Sequence, residues 1–339
     1  MSLINCSDRS PGSIRTEANG IEENSINKPF IFSSGSIAIM PSLSTHVGGL
    51  DLKNPVLLAA GILGTTGASL HRAAAAGAGG VVTKSVGSVS RDGHPGPTIV
   101  SVTGGLLNAM GLPNPSYRDF QGEIEIARSG GVPVIASIFG SSAAEFAQIA
   151  RGLKADAFEL NLSCPHAEKY GSELGRYPDL VESVTGAVKA ASDVPVWVKL
   201  TPNTADISEL GLAAQRGGAD AVVAINTLKA MAIDIESGYP ILGNRFGGLS
   251  GAAIKPVAVR CVYELAGSLD IPVIGVGGVS CWQDALEMIM AGASAVQVGT
   301  ALIGGYGVFE EINTGLASYL ERKSMTLKDI CGLSWRRRN

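Results

Sequence analysis

From residue 56 onward, short apolar runs alternate with longer stretches of helical period. The runs are Val56–Ala60, Gly80–Lys84, Val132–Ile138, Ala157–Asn161, Val194–Leu200, Ala221–Ile225, Ile271–Val276 and Ala295–Val298. Between them lie Ser69–Ala76, Ala143–Gly152, Leu180–Ala191, Ile207–Arg216, Pro256–Gly267 and Cys281–Ala291, where apolar positions recur at helical spacing. Ahead of the first run, Leu43–Val47 and Leu50–Lys53 flank Gly48-Gly49, a hairpin signal. Gly-Ala pairs recur just before strands, at Gly77-Ala78, Gly218-Ala219 and Gly292-Ala293, where glycine ends a helix. About eight strand–helix repeats predict an α/β protein of the (β/α)8 TIM-barrel type, with an N-terminal hairpin. A doubly wound open sheet uses the same alternation and is the alternative.

Residues 1–40 read differently. They are rich in Ser, Asn, Gly and Glu, show no sustained period and predict a disordered extension ahead of a barrel domain at 41–339. Ordered sequence begins right after Met40, which is the expected natural start. The 44 glycines and 45% hydrophobic content suit a buried parallel sheet with many tight turns. A net charge of −4 and the lack of a basic stripe argue against nucleic acid as the main partner. The five cysteines form no CxxC pair, which speaks against a disulfide framework, a zinc site or an iron–sulfur cluster held by this chain. The four histidines are not spaced as a metal site. The absence of a secretory signal or a long apolar run predicts a cytoplasmic protein without membrane contact.

In a barrel, chemistry sits at the C-terminal ends of the strands. There the sequence places Ala60-Gly61, Lys84-Ser85, Ser137, Asn161, Lys199, Asn226-Thr227, Gly277-Gly278 and Gly299-Thr300. A lysine closing an apolar strand is costly without an anionic partner, and two of them with amides between suggest an anionic ligand. Gly275-Val276-Gly277-Gly278 and Val298-Gly299-Thr300 end the last two strands and offer bare backbone for a phosphate. The same residues could be no more than two tight turns. Lys199 either snorkels to the rim or holds a positive charge beside a flavin. Asn108-Ala109-Met110-Gly111-Leu112-Pro113-Asn114, with Gly104-Gly105 ahead of it, reads as a loop able to fold over the rim. Glu159, Asp206 and Asp234 show no pairing that spacing establishes.

One stretch stands apart. Phe158-Glu159-Leu160-Asn161-Leu162-Ser163-Cys164-Pro165-His166 runs from a buried strand into a loop carrying a thiol. Its plain reading is a free cysteine beside a turn.

The motifs Asn161-Leu162-Ser163-Cys164-Pro165, Asn108-Ala109-Met110-Gly111-Leu112, Ile225-Asn226-Thr227-Leu228 and Gly247-Gly248-Leu249-Ser250-Gly251, with the two terminal glycine sites, occur together. From about Leu43 onward the chain resembles class 1 dihydroorotate dehydrogenase, and Met231-Ala232-Ile233-Asp234 resembles the class 1B catalytic subunit most. The resemblance implies an FMN-containing barrel that oxidises (S)-dihydroorotate to orotate in pyrimidine (UMP) biosynthesis. It makes Cys164 the base that takes the C5 proton while hydride leaves C6 for the flavin; an ordinary thiol pKa of about 8.5 suits that work. It places Lys84, Asn108, Ala109, Met110, Gly111, Leu112, Asn161, Asn226 and Thr227 on the substrate. It places Ala60, Lys84, Ser85, Ser137, Asn161, Lys199, Ile225, Gly251, Gly277, Gly278, Gly299 and Thr300 around the flavin.

It also implies a partner subunit carrying FAD and a [2Fe–2S] cluster that passes electrons to NAD, in a heterotetramer, or a homodimer of this chain. Three positions depart from the family pattern: Ala60 for a frequent serine, Ser137 for a common asparagine, and His166 for the asparagine after Cys-Pro. The His166 variant also resembles the flavin barrel of dihydropyrimidine dehydrogenase, which acts on dihydrouracil, and that is the leading alternative. A non-catalytic barrel binding flavin or phosphate is the alternative outside enzymes.

Overall fold

The computed structural model describes residues 42–162 and 174–336. The N-terminal extension, its boundary at residue 40, and both Cys164 and His166 lie outside the described residues.

Eight parallel strands close into a barrel in the order β10-β13-β14-β3-β4-β7-β8-β9, so the open-sheet alternative does not apply. They are β3 (Val56–Leu58), β4 (Gly80–Val82), β7 (Val134–Ile138), β8 (Ala157–Asn161), β9 (Val196–Leu200), β10 (Ala221–Ala224), β13 (Val273–Val276) and β14 (Ala293–Val298). Each falls within a run singled out by its apolar content, apart from the two residues by which β14 begins earlier. Closure is made by β14 against β3, with Val296 opposite Val56 and Val298 opposite Leu58. The helices are α1 (Gly67–Ala75), α2 (Tyr117–Arg128), α3 (Ala143–Gly152), α4 (Pro178–Lys189), α5 (Ile207–Arg216), α6 (Lys255–Ser268), α7 (Trp282–Ala291) and α8 (Val308–Lys323), with short α9 (Leu327–Ile330) and α10 (Leu333–Arg336) after them.

Strand side chains alternate between two cores. Outward residues such as Val198, Val222 and Val296 pack against the helices. Inward residues such as Leu57, Val82, Ile135, Trp197 and Ile274 fill the bore. The predicted hairpin is present as β1 (Thr45–Val47) and β2 (Leu50–Leu52), and its apolar residues join the bore cluster. Trp197 Nε1 donates to Gly48 O at 2.9 Å, near the N-terminal ends of the strands. The hairpin therefore plugs the barrel floor and leaves the opposite rim for chemistry.

One feature differs from the periodic reading. Gly105 and Asn108, expected in a loop, lie in strand β6 (Gly105–Asn108), and β5 (Ile99–Val102) precedes it. These pair with β11 (Leu228–Ala230) and β12 (Gly247–Ser250) in a four-stranded antiparallel sheet, order β11-β12-β6-β5. Leu107, Ala109 and Leu242 form its own small core. The strands are only three or four residues long, β12 opens on two glycines, and β6 finds its second partner, β12, far along the chain, so the sheet as a whole has no local signature. Helix α2 also escaped the periodic reading. Its signals were present: Ser116 caps it, accepting from Asp119 N, and Tyr117, Phe120, Ile124 and Ala127 recur on one buried face.

Candidate active site

Strand β4 ends in Val82 and the chain runs on through Thr83-Lys84-Ser85. Thr83 Oγ1 accepts from Ser137 N at 3.0 Å, and Lys84 N donates to Gly64 O at 2.7 Å, so this strand end is fixed on both sides. Lys84 is buried, at 8% exposure. Its ammonium donates to Gly61 O at 3.2 Å and lies 3.4 Å from Met110 Sδ. It forms no ion pair with a carboxylate among the described residues. Burial accordingly pushes its pKa below the ordinary lysine range. A desolvated ammonium facing a carbonyl and a thioether is a ready site for an anion.

Beside it runs a chain of polar side chains from neighbouring strand ends. Ser137 and Ser85 hydroxyls lie 2.8 Å apart, Asn161 Nδ2 donates to Ser85 Oγ at 3.1 Å, and Asn226 Nδ2 donates to Asn161 Oδ1 at 3.3 Å. Four of the predicted residues thus form one connected row, next to Lys84. Thr227 N donates back to Asn226 Oδ1 at 2.8 Å. Ile225 is buried beneath them, and Ala60 is half-buried after β3.

The antiparallel sheet carries the second wall. Asn108 Nδ2 donates to Gly248 O at 3.1 Å, across the β6–β12 pair. A side chain at Gly248 would collide with Thr227, so the close crossing of β12 over Thr227 requires glycine. Met110 reaches Lys84, His94 N donates to Met110 O at 3.0 Å, and Leu112 O accepts from Asn114 Nδ2 at 3.0 Å. The Asn108–Leu112 segment is therefore held to the rim.

The glycine sites form a third group. Gly278 has φ +76°, and a Cβ there would sit 2.6 Å from Lys255 Cβ and 3.0 Å from Gly251 O. Thr300 Oγ1 donates to or accepts from Ser250 Oγ at 2.9 Å, which brings Gly251, Gly277, Gly278 and Thr300 into one neighbourhood. A Cβ at Gly299 would meet only Ala59, at 3.6 Å, so that position keeps room beside it. Behind the loop, Lys255 Nζ bonds Asp284 Oδ1 at 2.8 Å and Glu287 Oε2 at 2.7 Å, while Asp284 Oδ2 accepts from Ser280 N, Ser280 Oγ and Cys281 Sγ. Burial opposes both charges, but these bonds prevail: the Lys255 pKa is raised and the Asp284 pKa lowered.

Lys199 does not snorkel. It is 6% exposed and bonds Glu159 Oε1 and Gln297 Oε1, each at 3.2 Å. Glu159 thus does have a partner, one that spacing could not supply. Asp206 caps α5, accepting from Ser208 N, and Asp234 accepts from Glu236 N in an exposed turn. Two further residues were not anticipated. Asn203 accepts from Lys229 N at 2.9 Å and donates to Thr227 O at 3.1 Å, tying the turn after β9 to the start of β11. Gln297 was detectable as a polar residue inside the last apolar strand. Asn203 gave no signal beyond its place after a strand end.

Taken together, the rim offers an ammonium, a row of amides and hydroxyls, and a glycine cradle. That donor set suits a planar ring with several carbonyls, an anionic tail, and a carboxylate-bearing ligand. The profile of the dihydroorotate dehydrogenase family matches residues 42–320. The catalytic subunit of dihydroorotate dehydrogenase B (NAD(+)) from Methanocella arvoryzae is 62% identical over 295 residues, covering 87% of this chain and 98% of the relative. The protein of that name from Pyrococcus furiosus is 54% identical over 297 residues, covering 86% and 99%. That from Methanocaldococcus jannaschii is 48% identical over 299 residues, covering 86% and 98%. With the closed barrel, its plugged floor and this rim, these likenesses mean that the chain belongs to the dihydroorotate dehydrogenase family, most like the class 1B catalytic subunits.

Proposed function

We propose that this chain oxidises (S)-dihydroorotate to orotate in pyrimidine biosynthesis, with FMN bound at the rim. The observation that carries the reading is Lys84, a buried ammonium with no carboxylate partner among the described residues, set beside an amide row of the kind a dihydropyrimidine ring requires. FMN, when bound, accepts the hydride from C6. Gly251, Gly277, Gly278, Gly299 and Thr300 would hold its phosphate, and Ala60, Lys84, Ser85, Ser137, Asn161, Lys199 and Ile225 would line its ring. Lys84 also neutralises the substrate carboxylate. Asn108, Asn161, Asn226 and Thr227 hold the ring amides and carbonyls, and Ala109 to Leu112 cover the substrate. Cys164 removes the C5 proton as thiolate and becomes a thiol, so the substrate loses one proton and one hydride in total. The segment carrying it follows Asn161 directly in the chain.

The relatives' name, catalytic subunit of an NAD(+)-linked enzyme, supports a division of labour. The partner subunit carries FAD and a [2Fe–2S] cluster and delivers electrons to NAD, while this chain pairs with it in a heterotetramer. No helix among the described residues is long and apolar enough to cross a membrane. The test is an anaerobic titration of the purified yellow protein. Dihydroorotate is expected to bleach the flavin, dihydrouracil to leave it oxidised, and NAD to be reduced only when the partner is added. Bleaching by dihydrouracil alone would instead support the dihydropyrimidine alternative, and a colourless protein that takes up no FMN the binding-only barrel.

A further inference from the structure

Three polar side chains meet inside the bore, above its apolar lower layers. Glu159 on β8 is fully buried, Gln297 on β14 is 1% exposed and Lys199 on β9 is 6% exposed. Their bonds form a closed triangle. Lys199 Nζ donates to Glu159 Oε1 and to Gln297 Oε1, both at 3.2 Å, and Gln297 Nε2 donates to Glu159 Oε2 at 2.6 Å. The inventory of donors permits this closure in one way: a lysine that only donates, a carboxylate that only accepts, and an amide that does both. In the barrel order, β8 and β14 stand on opposite sides, so the triangle spans the bore. Lys199 pairs in register with Asn161, which belongs to the row at the rim.

Stability does not account for the trio. Buried ion pairs are commonly no better than well-packed apolar residues of similar volume, because desolvation cancels the attraction. The trio does deliver a fixed positive charge, partly offset by a carboxylate, just below the rim.

We propose that Glu159 and Gln297 are positioning residues for Lys199. Together they aim its ammonium and set how much positive charge the barrel presents to the flavin ring. This inference rests on the flavin reading above, because it needs a ring at the rim. The reduced ring carries more negative charge than the oxidised one, so a less compensated lysine favours reduction. Glu159 therefore holds the potential of the cofactor down.

The test is the midpoint potential of FMN bound to the whole chain, measured by anaerobic dye-coupled reduction, with FMN content recorded alongside. Glu159→Gln keeps the volume, removes the charge and places an amide N–H₂ against one of its two donors. It is expected to retain FMN and to raise the reduced-to-oxidised ratio at fixed potential by at least tenfold, about 30 mV for a two-electron couple. In a Lys199→Met background the same substitution is expected to shift the potential by much less, since no lysine is left there for Glu159 to aim or offset. Glu159→Asp, which keeps the charge on a shorter arm, is expected to shift the potential in the same direction by less, and serves if Glu159→Gln does not fold. An unchanged or lowered potential in Glu159→Gln overturns the proposal, as does an equal shift in the Lys199→Met background. A parental chain that takes up no FMN overturns the flavin reading itself, an outcome distinct from a yellow parental chain with an insensitive potential.

Discussion

Lys84 points its ammonium at the sulfur of Met110, 3.4 Å away, and finds no counter-charge among the described residues. Its lowered pKa has two opposite consequences with pH. In the unliganded protein the unfolded state binds more protons, so stability rises as pH climbs from the folded pKa toward the ordinary lysine value. Below the folded pKa the ammonium is already charged and an anion binds without proton uptake. Above it, a proton must be taken up first, and orotate affinity is expected to fall up to tenfold per pH unit. Calorimetry of orotate binding in buffers of different ionisation enthalpy checks this. Lys84→Met is expected to abolish both trends.

Cys164→Ala is expected to keep the yellow cofactor and to slow flavin reduction by dihydroorotate roughly 10²–10⁴-fold, the range general-base removal commonly costs. Stopped-flow absorbance under anaerobic conditions reads this directly. Near-normal reduction would take Cys164 out of the base role.

Asn203 holds Thr227 without lying on the predicted ligand path. Its side chain makes three bonds: to Thr201 Oγ1, to Thr227 O and from Lys229 N. Each contributes about 1 kcal/mol. Asn203→Ala is expected to raise KM for dihydroorotate about tenfold, which is about 1.4 kcal/mol, with kcat and FMN content little changed. A fall in kcat at constant KM would contradict a role through Thr227.

The Lys255–Asp284 pair supports the Gly277-Gly278 loop. Asp284 has a lowered folded pKa, so its contribution is present above the unfolded carboxylate value and lost as pH falls through the folded one. Lys255 has a raised pKa, so its contribution is present below the unfolded lysine value and lost as pH rises through the folded one. The clamp is therefore whole between those limits. Asp284→Asn is expected to destabilise by less than the roughly 3–5 kcal/mol of a fully buried pair, because Lys255 keeps Glu287. Urea unfolding at pH 7 measures the loss, and faster FMN release on dilution measures the loosened cradle.

These residues also show what a linear reading can reach. The barrel strands were legible because strands buried on both faces read as continuous apolar runs, as in Ala221–Ala224. Lys84, Asn161 and Asn226 were legible because polar residues at the ends of such runs have few structural reasons to be there. The Glu159–Gln297 bond was not legible, because it crosses the bore between strands far apart in the chain. The pairing of Gly248 with Asn108 was hidden for the same reason, and its glycines suppressed any strand signal.

The hairpin plug has a kinetic meaning. With Val47, Leu50 and Leu52 packed into the bore cluster at the strands' N-terminal ends, the barrel is a vessel with one mouth. Whatever binds deepest in such a vessel must enter first and leave last. On the proposed reading, a substrate lying over FMN would trap it, and the order of loading would be set by architecture before any rate constant is considered.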